Sequence, residues 1–424
     1  MTEQSRIVIV NGSGGPPSPR RIAVGLGVCT FVLMIPVTLI VPVLKELVAE
    51  RFDAGVFWTH SFMFTNLIGA VLATPLIAML CDRTKSRVRI AAIALALDAA
   101  LFAAMCFAPT LVSLLLLRGL EGAAHMLALS AIMATAADHA PSERRGRAMG
   151  LLGACMMFGT AAGTRIGGVV WKHLGEGYSL PISAAVSLLA ALLVLMLLRD
   201  AAGRATTVRL KHAIALLRTH RRLGIPFAYT FIDRFCVGVI ITSFGLFLSV
   251  AYGESPDGIS RLLVMFLIPF AVGIYPAGRV VDRIGHTLPL ALGSILFGLL
   301  FASYGVVPRA WLPLVMVASG LSASLMFAPT LSLCAQLAPR QQRGAAYAGF
   351  NAAGSLGMIC GPLGAGLICH LLEPSMGAAG AYRAAFTAAG ASQVVCAAIT
   401  LPFLLAMRKT RKVDSRAGGA LPAT

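Results

Sequence analysis

Charged residues are scarce in this chain. Asp, Glu, Lys and Arg make up 12% of its 424 residues, whereas 58% are hydrophobic and the mean hydropathy is +0.83. A soluble globular protein carries about 25% charged residues, so the composition excludes that class. Apolar runs of about 20 residues, the length of a helix that crosses the hydrocarbon core, recur along the chain. The sequence therefore predicts an integral membrane protein.

Several functional patterns are also missing. The strong alternation of apolar and polar residues that marks a membrane barrel does not occur. No segment matches G-x-x-x-x-G-K-[ST], which argues against nucleotide hydrolysis on this chain. The nine cysteines form neither a C-x-x-C pair nor a disulfide framework. His139 lies near Asp138 and Glu143, but in a short loop among arginines. We expect an α-helical membrane protein with no cofactor and no metal site.

Twelve apolar runs, separated by Pro, Gly and charge clusters, predict twelve membrane helices. They are numbered 1 to 12 in chain order. The predicted bounds are 22–44, 56–80, 89–108, 110–137, 148–171, 180–198, 223–250, 261–277, 289–307, 311–334, 345–371 and 384–406.

The 35 Lys and Arg residues are distributed unevenly. Most lie in the two tails and in the loops after even-numbered helices, and three lie inside predicted helices: Arg118, Arg165 and Arg234. Basic residues concentrate on the cytoplasmic side of membrane proteins, so both termini are predicted to be cytoplasmic. We therefore expect the basic residues behind the net charge of +18 to orient the protein and to contact lipid. Without an aromatic and basic platform, no nucleic-acid partner is expected.

Two short motifs each follow an even-numbered helix twice. Asp-Arg does so at Asp82 and again at Asp282, and the template A-P-x-x-x-R-G-x-A fits residues 140–148 and 338–346, 198 positions apart. Because each copy follows an even-numbered helix, the chain is predicted to contain two parallel six-helix repeats. The predicted organisation is a cytoplasmic tail (1–21), a six-helix bundle (22–199), a basic surface linker (200–222), a second bundle (223–406) and a basic cytoplasmic tail (407–424).

These motifs resemble the loop signatures of the major facilitator superfamily of secondary transporters. The signature G-x-x-x-D-R-x-G-R-R is matched by two sets of residues, which the resemblance assigns to a cytoplasmic gate together with Arg145 and Arg343 of the second template. The first set is Asp82, Arg83 and Arg87, and the second is Gly278, Asp282, Arg283 and Gly285. The resemblance implies twelve helices in two bundles that alternate access to a central cavity lined by helices 1, 4, 7 and 10.

Helix 5 also resembles a pattern of this family. It fits the glycine pattern G-x8-G-x3-G-P-x-x-G-G of drug:proton antiporters, with Thr164 in place of the proline and Arg165 as an added charge. Helix 11 carries a related set. The matching residues are Gly150, Gly159, Gly163, Gly167 and Gly168 in helix 5, and Gly357, Gly361 and Pro362 in helix 11. Close helix packing explains such glycines equally well, and a hinge is compatible with it.

Ionisable residues inside the membrane indicate function by default. Arg118, Glu121 and His125 share one face of helix 4, and the arginine matches a family motif associated with proton transfer, so we expect this face to line the cavity. Helix 7 offers Asp233 and Arg234 at similar depth. Proton coupling at these residues competes with a role as neutralising pairs. Asp98 and Arg165 are expected to be structural membrane charges.

The leading hypothesis is proton-coupled efflux of a small organic solute by antiport. The alternative is a symporter or facilitator for uptake of an organic anion or zwitterion, which the arginines and His125 would suit. Metal-ion transport is disfavoured because arginines neighbour the membrane carboxylates, and a non-transporting sensor is disfavoured by the intact repeats. We expect a monomer in a bacterial inner membrane, with small-molecule substrate, protons and lipids as partners and the proton gradient as energy source.

Overall fold

The computed structural model describes residues 19–83, 86–139, 145–200, 216–339 and 342–417. These residues are almost entirely helical. The first six helices are α1 Pro19–Leu39, α2 Val56–Arg83, α3 Arg87–Cys106, α4 Leu111–His139, α5 Arg145–Leu174 and α6 Ser179–Leu197. The prediction of an all-helical architecture is confirmed.

The remaining helices include two interruptions. α7 runs over Gly224–Val239, passes through a π-helical turn at Ile240–Phe244 and continues over Gly245–Tyr252. The next three are α8 Pro256–Ile284, α9 Thr287–Ser303 and α10 Leu312–Leu337. The last helical stretch, Arg343–Ala417, is broken at Gly377, where φ is 70° and ψ is 165°, so α11 comprises 343–376 and α12 378–417.

Length and composition suit these helices to a membrane. Nine stretches of the described residues are long and apolar enough to cross one, and the longest, Gly349–Ala406, holds parts of both α11 and α12. Two of the helices begin at a serine that caps the first turn. Ser86 caps α3 by accepting a hydrogen bond from the Arg89 backbone N–H, and Ser255 caps α8 in the same way, followed by Pro256 at its first position.

The helices pack into two bundles. In the first, α1 packs on α5 and α6, α2 packs on α4, and α3 packs on both α4 and α6. In the second, α7 packs along the 343–417 stretch, α8 packs on α10, and α9 packs on α10. We call the face that carries the α2–α3 and α8–α9 loops the basic face, and the other the opposite face. That the basic face is cytoplasmic remains a prediction.

Glycines allow the backbones of α2 and α4 to come close together. A Cβ atom on Gly69 would overlap the backbone of Gly119, and one on Gly122 would overlap the backbone of Asn66. Small residues permit this close packing in membrane bundles, where van der Waals contact replaces the hydrophobic effect as the driving force. The two contacts fix how α4 is rotated relative to α2.

We expect Gly69→Ala to lower the free energy of unfolding by about 1–3 kcal/mol, because the added methyl forces α2 and α4 apart. Thermal unfolding of the purified protein in detergent measures the change. Gly153→Ala on α5 is the matched control, since nothing lies within 4 Å of a Cβ at that position. Equal melting temperatures for the two variants would contradict the close approach.

Candidate functional site

Four ionisable side chains meet inside the first bundle. Arg118 Nη1 lies 2.6 Å from Glu121 Oε2 on α4, and His125 Nδ1 lies 4.0 Å from Asp98 Oδ1 on α3. One ligand atom each from Asp98, Glu121 and His125 lies within 4.8 Å of the others. Arg118, Glu121 and Asp98 are fully buried, and His125 is 8% exposed. We call these four residues the buried ionic cluster.

Neutral polar groups from two further helices complete the buried ionic cluster. Asn66 of α2 donates its side-chain N–H to Glu121 Oε2 at 2.6 Å, and Ser187 of α6 donates its hydroxyl to Asp98 Oδ2 at 2.6 Å. Asn66 reaches the carboxylate because Gly122 lets α2 lie against α4. Sequence reasoning did not identify Asn66 or Ser187, and their only signal was a polar side chain within an apolar run.

Aromatic rings surround the guanidinium of the cluster. Arg118 Cζ lies 4.8 Å from the centroid of the Phe62 ring and 6.0 Å from that of Phe102. Ring faces attract a cation, and the attraction strengthens when water is excluded. In the described part of the chain, the Arg118 guanidinium contacts only one carboxylate. The aromatic rings therefore add to the stabilisation of its positive charge.

The charges of the cluster do not balance. One guanidinium faces two carboxylates, so with a neutral imidazole the ionised cluster carries one net negative charge. Among the described residues, Asp98 Oδ1, Glu121 Oε1 and His125 Nδ1 are buried without a hydrogen-bond partner, as are Nε and Nη2 of Arg118. An unpaired buried charge costs several kcal/mol. One additional proton on this set of atoms makes the cluster neutral.

The structure corrects the expected orientation of α4. We expected Arg118, Glu121 and His125 to line a cavity between the bundles, but Arg118 and Glu121 are fully buried against α2 and α3 within the first bundle. The close contact of Gly122 with Asn66 rotates that face of α4 inward. Asp98 was expected to be a structural charge, and the structure places it beside the three ionisable residues of α4.

The two charges of α7 differ from those of α4. Asp233 and Arg234 are both half-buried, and among the described residues their side chains form no ion pair or hydrogen bond. Adjacent helical residues point about 100° apart, which explains why the two side chains form no direct contact. Arg234 Cζ lies 5.6 Å from the centroid of the Phe327 ring, and Asp233 lines a cleft between α7, α10, α11 and α12.

The basic face contains part of the predicted gate. Arg87 is buried and forms an ion pair with Asp138 at the end of α4, at 3.0 Å. Asp200, just after α6, accepts hydrogen bonds from the backbone N–H groups of Arg87 and Val88 at 2.8 and 3.1 Å, and from the hydroxyl of Ser86. These contacts join the start of α3 to the ends of α4 and α6, and the sequence had not indicated Asp200 or Asp138 as partners.

The other gate residues are less well defined by contacts. Arg283 is exposed, Gly278 is open to its surroundings, and Gly285 ends α8 with φ of 82°. The side chains of the remaining predicted gate residues lie outside the described part of the structure: Asp82, Arg83, Asp282, Arg145 and Arg343.

The two bundles contact each other near the opposite face. Arg165 of α5 lies 2.6 Å from Asp257 and 3.1 Å from Ser260, both on α8, and Arg261 of α8 also pairs with Asp257. Arg165 was expected to be a structural membrane charge, and the structure shows that it joins the bundles. On the other side of the interface, His60 of α2 hydrogen-bonds Ser243 in the π-helical turn of α7 at 3.0 Å.

The glycine motifs are explained by helix packing. Added Cβ atoms would overlap the backbone of α1 at three α5 glycines, the side chain of Ser260 at Gly168, and the backbone of α7 at two α11 glycines. The α5 residues are Gly159, Gly163 and Gly167, the α11 residues are Gly357 and Gly361, Pro362 contacts Gly238, and Gly150 lies in the second turn of α5. The same helix pair is therefore tightly packed in both bundles.

Comparisons with known proteins agree with this architecture. A family model described as Major Facilitator Superfamily matches residues 26–232 and again residues 226–423. The chain is 27% identical to the vesicular acetylcholine transporter of Homo sapiens over 291 residues, which are 63% of this chain and 52% of that protein. It is 26% identical to the magnetosome protein MamH of Paramagnetospirillum magneticum over 242 residues, or 54% of this chain and 56% of that protein. The chain spans about half the length of these curated relatives.

Solved structures share the fold at lower sequence identity. A bacterial homologue of the human lysosomal transporter Spinster, in an inward-facing and unoccupied conformation, has a TM-score of 0.75 and 16% identity, covering 94% of this chain and 99% of that chain. The nucleoside transporter NupG has a TM-score of 0.74 and 14% identity, covering 91% and 99%. Because the family model matches nearly the whole chain, and the fold agrees, the chain belongs to the Major Facilitator Superfamily.

Proposed function

We propose that the chain is a proton-coupled secondary transporter that moves a small organic solute across the membrane by alternating access. The observation that carries the proposal is the charge imbalance of the buried ionic cluster. Two carboxylates share one guanidinium, and three buried ligand atoms of the cluster lack hydrogen-bond partners among the described residues. Arg118 can neutralise only one of the two carboxylates. The other carboxylate must therefore take up a proton when the cluster is cut off from water.

Proton release requires that the surroundings of the cluster change during transport. A carboxyl group binds its proton more weakly when it becomes hydrated or approaches a cation, and more tightly when it is buried alone. Rocking of the two bundles supplies such a change, since it alters which helices exclude water. Asp98 and Glu121 are the residues to which we assign proton exchange, with Arg118 and His125 setting their electrostatic surroundings.

The second bundle shows that packing does not require charges at these positions. At the offset of 198 that relates the repeated loops, Arg118, Glu121 and His125 of α4 correspond to Met316, Ser319 and Ala323 of α10. These three are also buried, with exposures of 0%, 0% and 3%. An uncharged set fills the same places in one bundle, so the charges in the other bundle support a functional role.

The contact between the bundles supports alternating access. Arg165 and Asp257 connect α5 and α8 near the opposite face. The Asp257 side chain is buried, whereas that of Arg165 is 37% exposed, so water can hydrate the guanidinium when the bundles separate. The helix 5 glycine pattern favours antiport, hence efflux from the cytoplasm, and symport is the second candidate. Among similar proteins, transporters named for acetylcholine and for nucleosides support a small organic solute.

Replacing either carboxylate of the cluster is expected to uncouple protons from solute. In liposomes with a trapped pH dye, solutes that change the lumenal pH through the wild-type protein should produce a signal about tenfold or more smaller with Asp98→Asn or Glu121→Gln. Exchange of labelled for unlabelled solute should continue in both variants, because that exchange needs no net proton movement.

Asp53→Asn is the matched control for loss of a carboxylate. Asp53 is exposed on the loop before α2 with φ of 48°, a conformation that Asn tolerates, so the pH signal of Asp53→Asn should equal that of the wild type.

Alkalinisation of the lumen by solute added outside indicates antiport, and acidification indicates symport. Labelled solute that crosses with no pH signal in the wild type would disprove proton coupling.

Removing the α5 to α8 ion pair is expected to open the opposite face. In a protein whose native cysteines have been replaced, Leu246→Cys places a thiol on α7 beside the inter-bundle contact, where it is 5% exposed. Adding Arg165→Gln should raise its rate of labelling by a membrane-impermeant maleimide about twofold or more, because the lost pair stabilises the closed state.

Arg261→Gln provides the control for this measurement. Arg261 pairs with the same carboxylate but lies on α8 with it, so its removal breaks no contact between the bundles. Labelling of Leu246→Cys should then stay at its original rate. An equal acceleration by both substitutions would show that charge near Asp257, and not the link between the bundles, controls access.

A further inference from the structure

The second bundle holds a cleft that the buried ionic cluster does not use. Asp233 of α7 and Phe327 of α10 are partly exposed at it, while Tyr229, Thr330, Phe350 and Gln393 form its buried walls. At the offset of 198 the equivalent positions of the first bundle are apolar, with Ile35 in place of Asp233 and Leu195 in place of Gln393. Its volume of about 10 Å³ gives the cleft room for one small head group, and its chemistry indicates what kind of head group it can bind.

The polar groups of the cleft are mainly hydrogen-bond acceptors. Gln393 is fully buried, its Nε2 contacts the Met326 sulfur at 3.2 Å, and among the described residues its Oε1 has no partner. The Thr330 hydroxyl donates to the Met326 carbonyl at 2.6 Å, which leaves its oxygen free to accept. Asp233 adds a carboxylate that pairs with no described residue. A ligand here must bring donors.

The apolar part of the cleft suits a positive charge. Phe327, Phe350 and Tyr229 place three aromatic side chains around the acceptors. Aromatic faces attract cations, and the attraction grows when water is excluded. The Arg234 guanidinium already lies over the Phe327 ring, 5.6 Å from its centroid, so a bound cation would rely on Phe350 and Tyr229. A carboxylate, a buried amide oxygen and aromatic rings together match a cation that carries N–H groups.

We propose that this cleft binds the protonated amine of the transported solute, with at least one N–H donated to Asp233 and to Gln393 Oε1. The proposal rests on the function proposed above and specifies its substrate class. It replaces the expectation of an organic anion, which relied on the membrane arginines and His125. Of these, Arg118 and His125 are buried inside the first bundle.

Four probes with the same aromatic body and different head groups test the proposal: 2-phenylethylamine, its N,N,N-trimethyl derivative, 2-phenylethanol and phenylacetate. Equilibrium dialysis with the full-length protein in lipid nanodiscs measures binding without transport. We expect the amine to bind at least about tenfold more tightly than the alcohol or the trimethyl derivative, because hydrogen bonds to a charged partner are worth about 1.5–3 kcal/mol. Phenylacetate should bind most weakly.

Two substitutions should remove this preference. Asp233→Asn should weaken amine binding at least about tenfold and leave binding of the alcohol unchanged, and Gln393→Leu should weaken amine binding severalfold. Asp53→Asn, which removes an exposed carboxylate on a distant loop, should change neither. Thermal unfolding of each variant verifies folding, and retained binding of the alcohol verifies the shape of the cleft in Asp233→Asn.

The results separate this proposal from the proposed function. Amine binding that depends on Asp233, without a pH signal in liposomes, supports the cleft and contradicts proton coupling. Tighter binding of phenylacetate, equal binding of the amine and trimethyl probes, or unchanged amine binding in Asp233→Asn would overturn the amine site. The absence of amine binding by the wild type up to about 10 mM would also overturn it. A Kd of about 10 mM corresponds to a binding free energy of about −3 kcal/mol, and a site of this chemistry should bind more tightly.

Discussion

An ionised side chain that is removed from water must be neutralised by its neighbours, and in the first bundle one guanidinium faces two carboxylates. Arg118 compensates one carboxylate, and Asp98 and Glu121 together present two. The fold creates the imbalance: glycine contacts bring α2 against α4, and α3 packs between α4 and α6. Helix packing therefore forces groups together that would be more stable apart, which makes the occupancy of one proton depend on helix positions.

The two bundles pack in the same way, but they differ in where their charged residues lie. Glycine faces bring α5 onto α1 in one bundle and α11 onto α7 in the other, at equivalent places. The charged groups do not follow this symmetry. The first bundle buries its ionisable residues against one another, whereas Asp233 and Arg234 of the second remain partly exposed without an ion pair among the described residues. This difference is the basis for proposing a proton site in the first bundle and a solute site in the second.

The sequence predicted the helices, the repeat and the common face of Arg118, Glu121 and His125, because each follows from local periodicity or repetition. The direction of that face depends on how α4 is rotated, and this is set by contacts of Gly122 with another helix. Periodicity within one helix fixes relative angles only. For the same reason the partners Asn66 and Ser187, 55 and 89 residues away from the carboxylates they contact, could not be identified.

α2 connects the buried ionic cluster to the interface between the bundles. Asn66 hydrogen-bonds Glu121 inside the first bundle, and His60, six residues earlier on the same helix, hydrogen-bonds Ser243 of α7. At 1.5 Å per residue the two contacts lie about 9 Å apart along one rigid helix. Ser243 belongs to a π-helical turn, a feature that often occurs where helices change shape for function. Any shift of α2 that accompanies proton binding at Glu121 must therefore also strain or relax the contact with α7, the helix that carries Asp233. This gives the proposed proton site and the proposed solute site a physical connection through one helix, although they lie in different bundles.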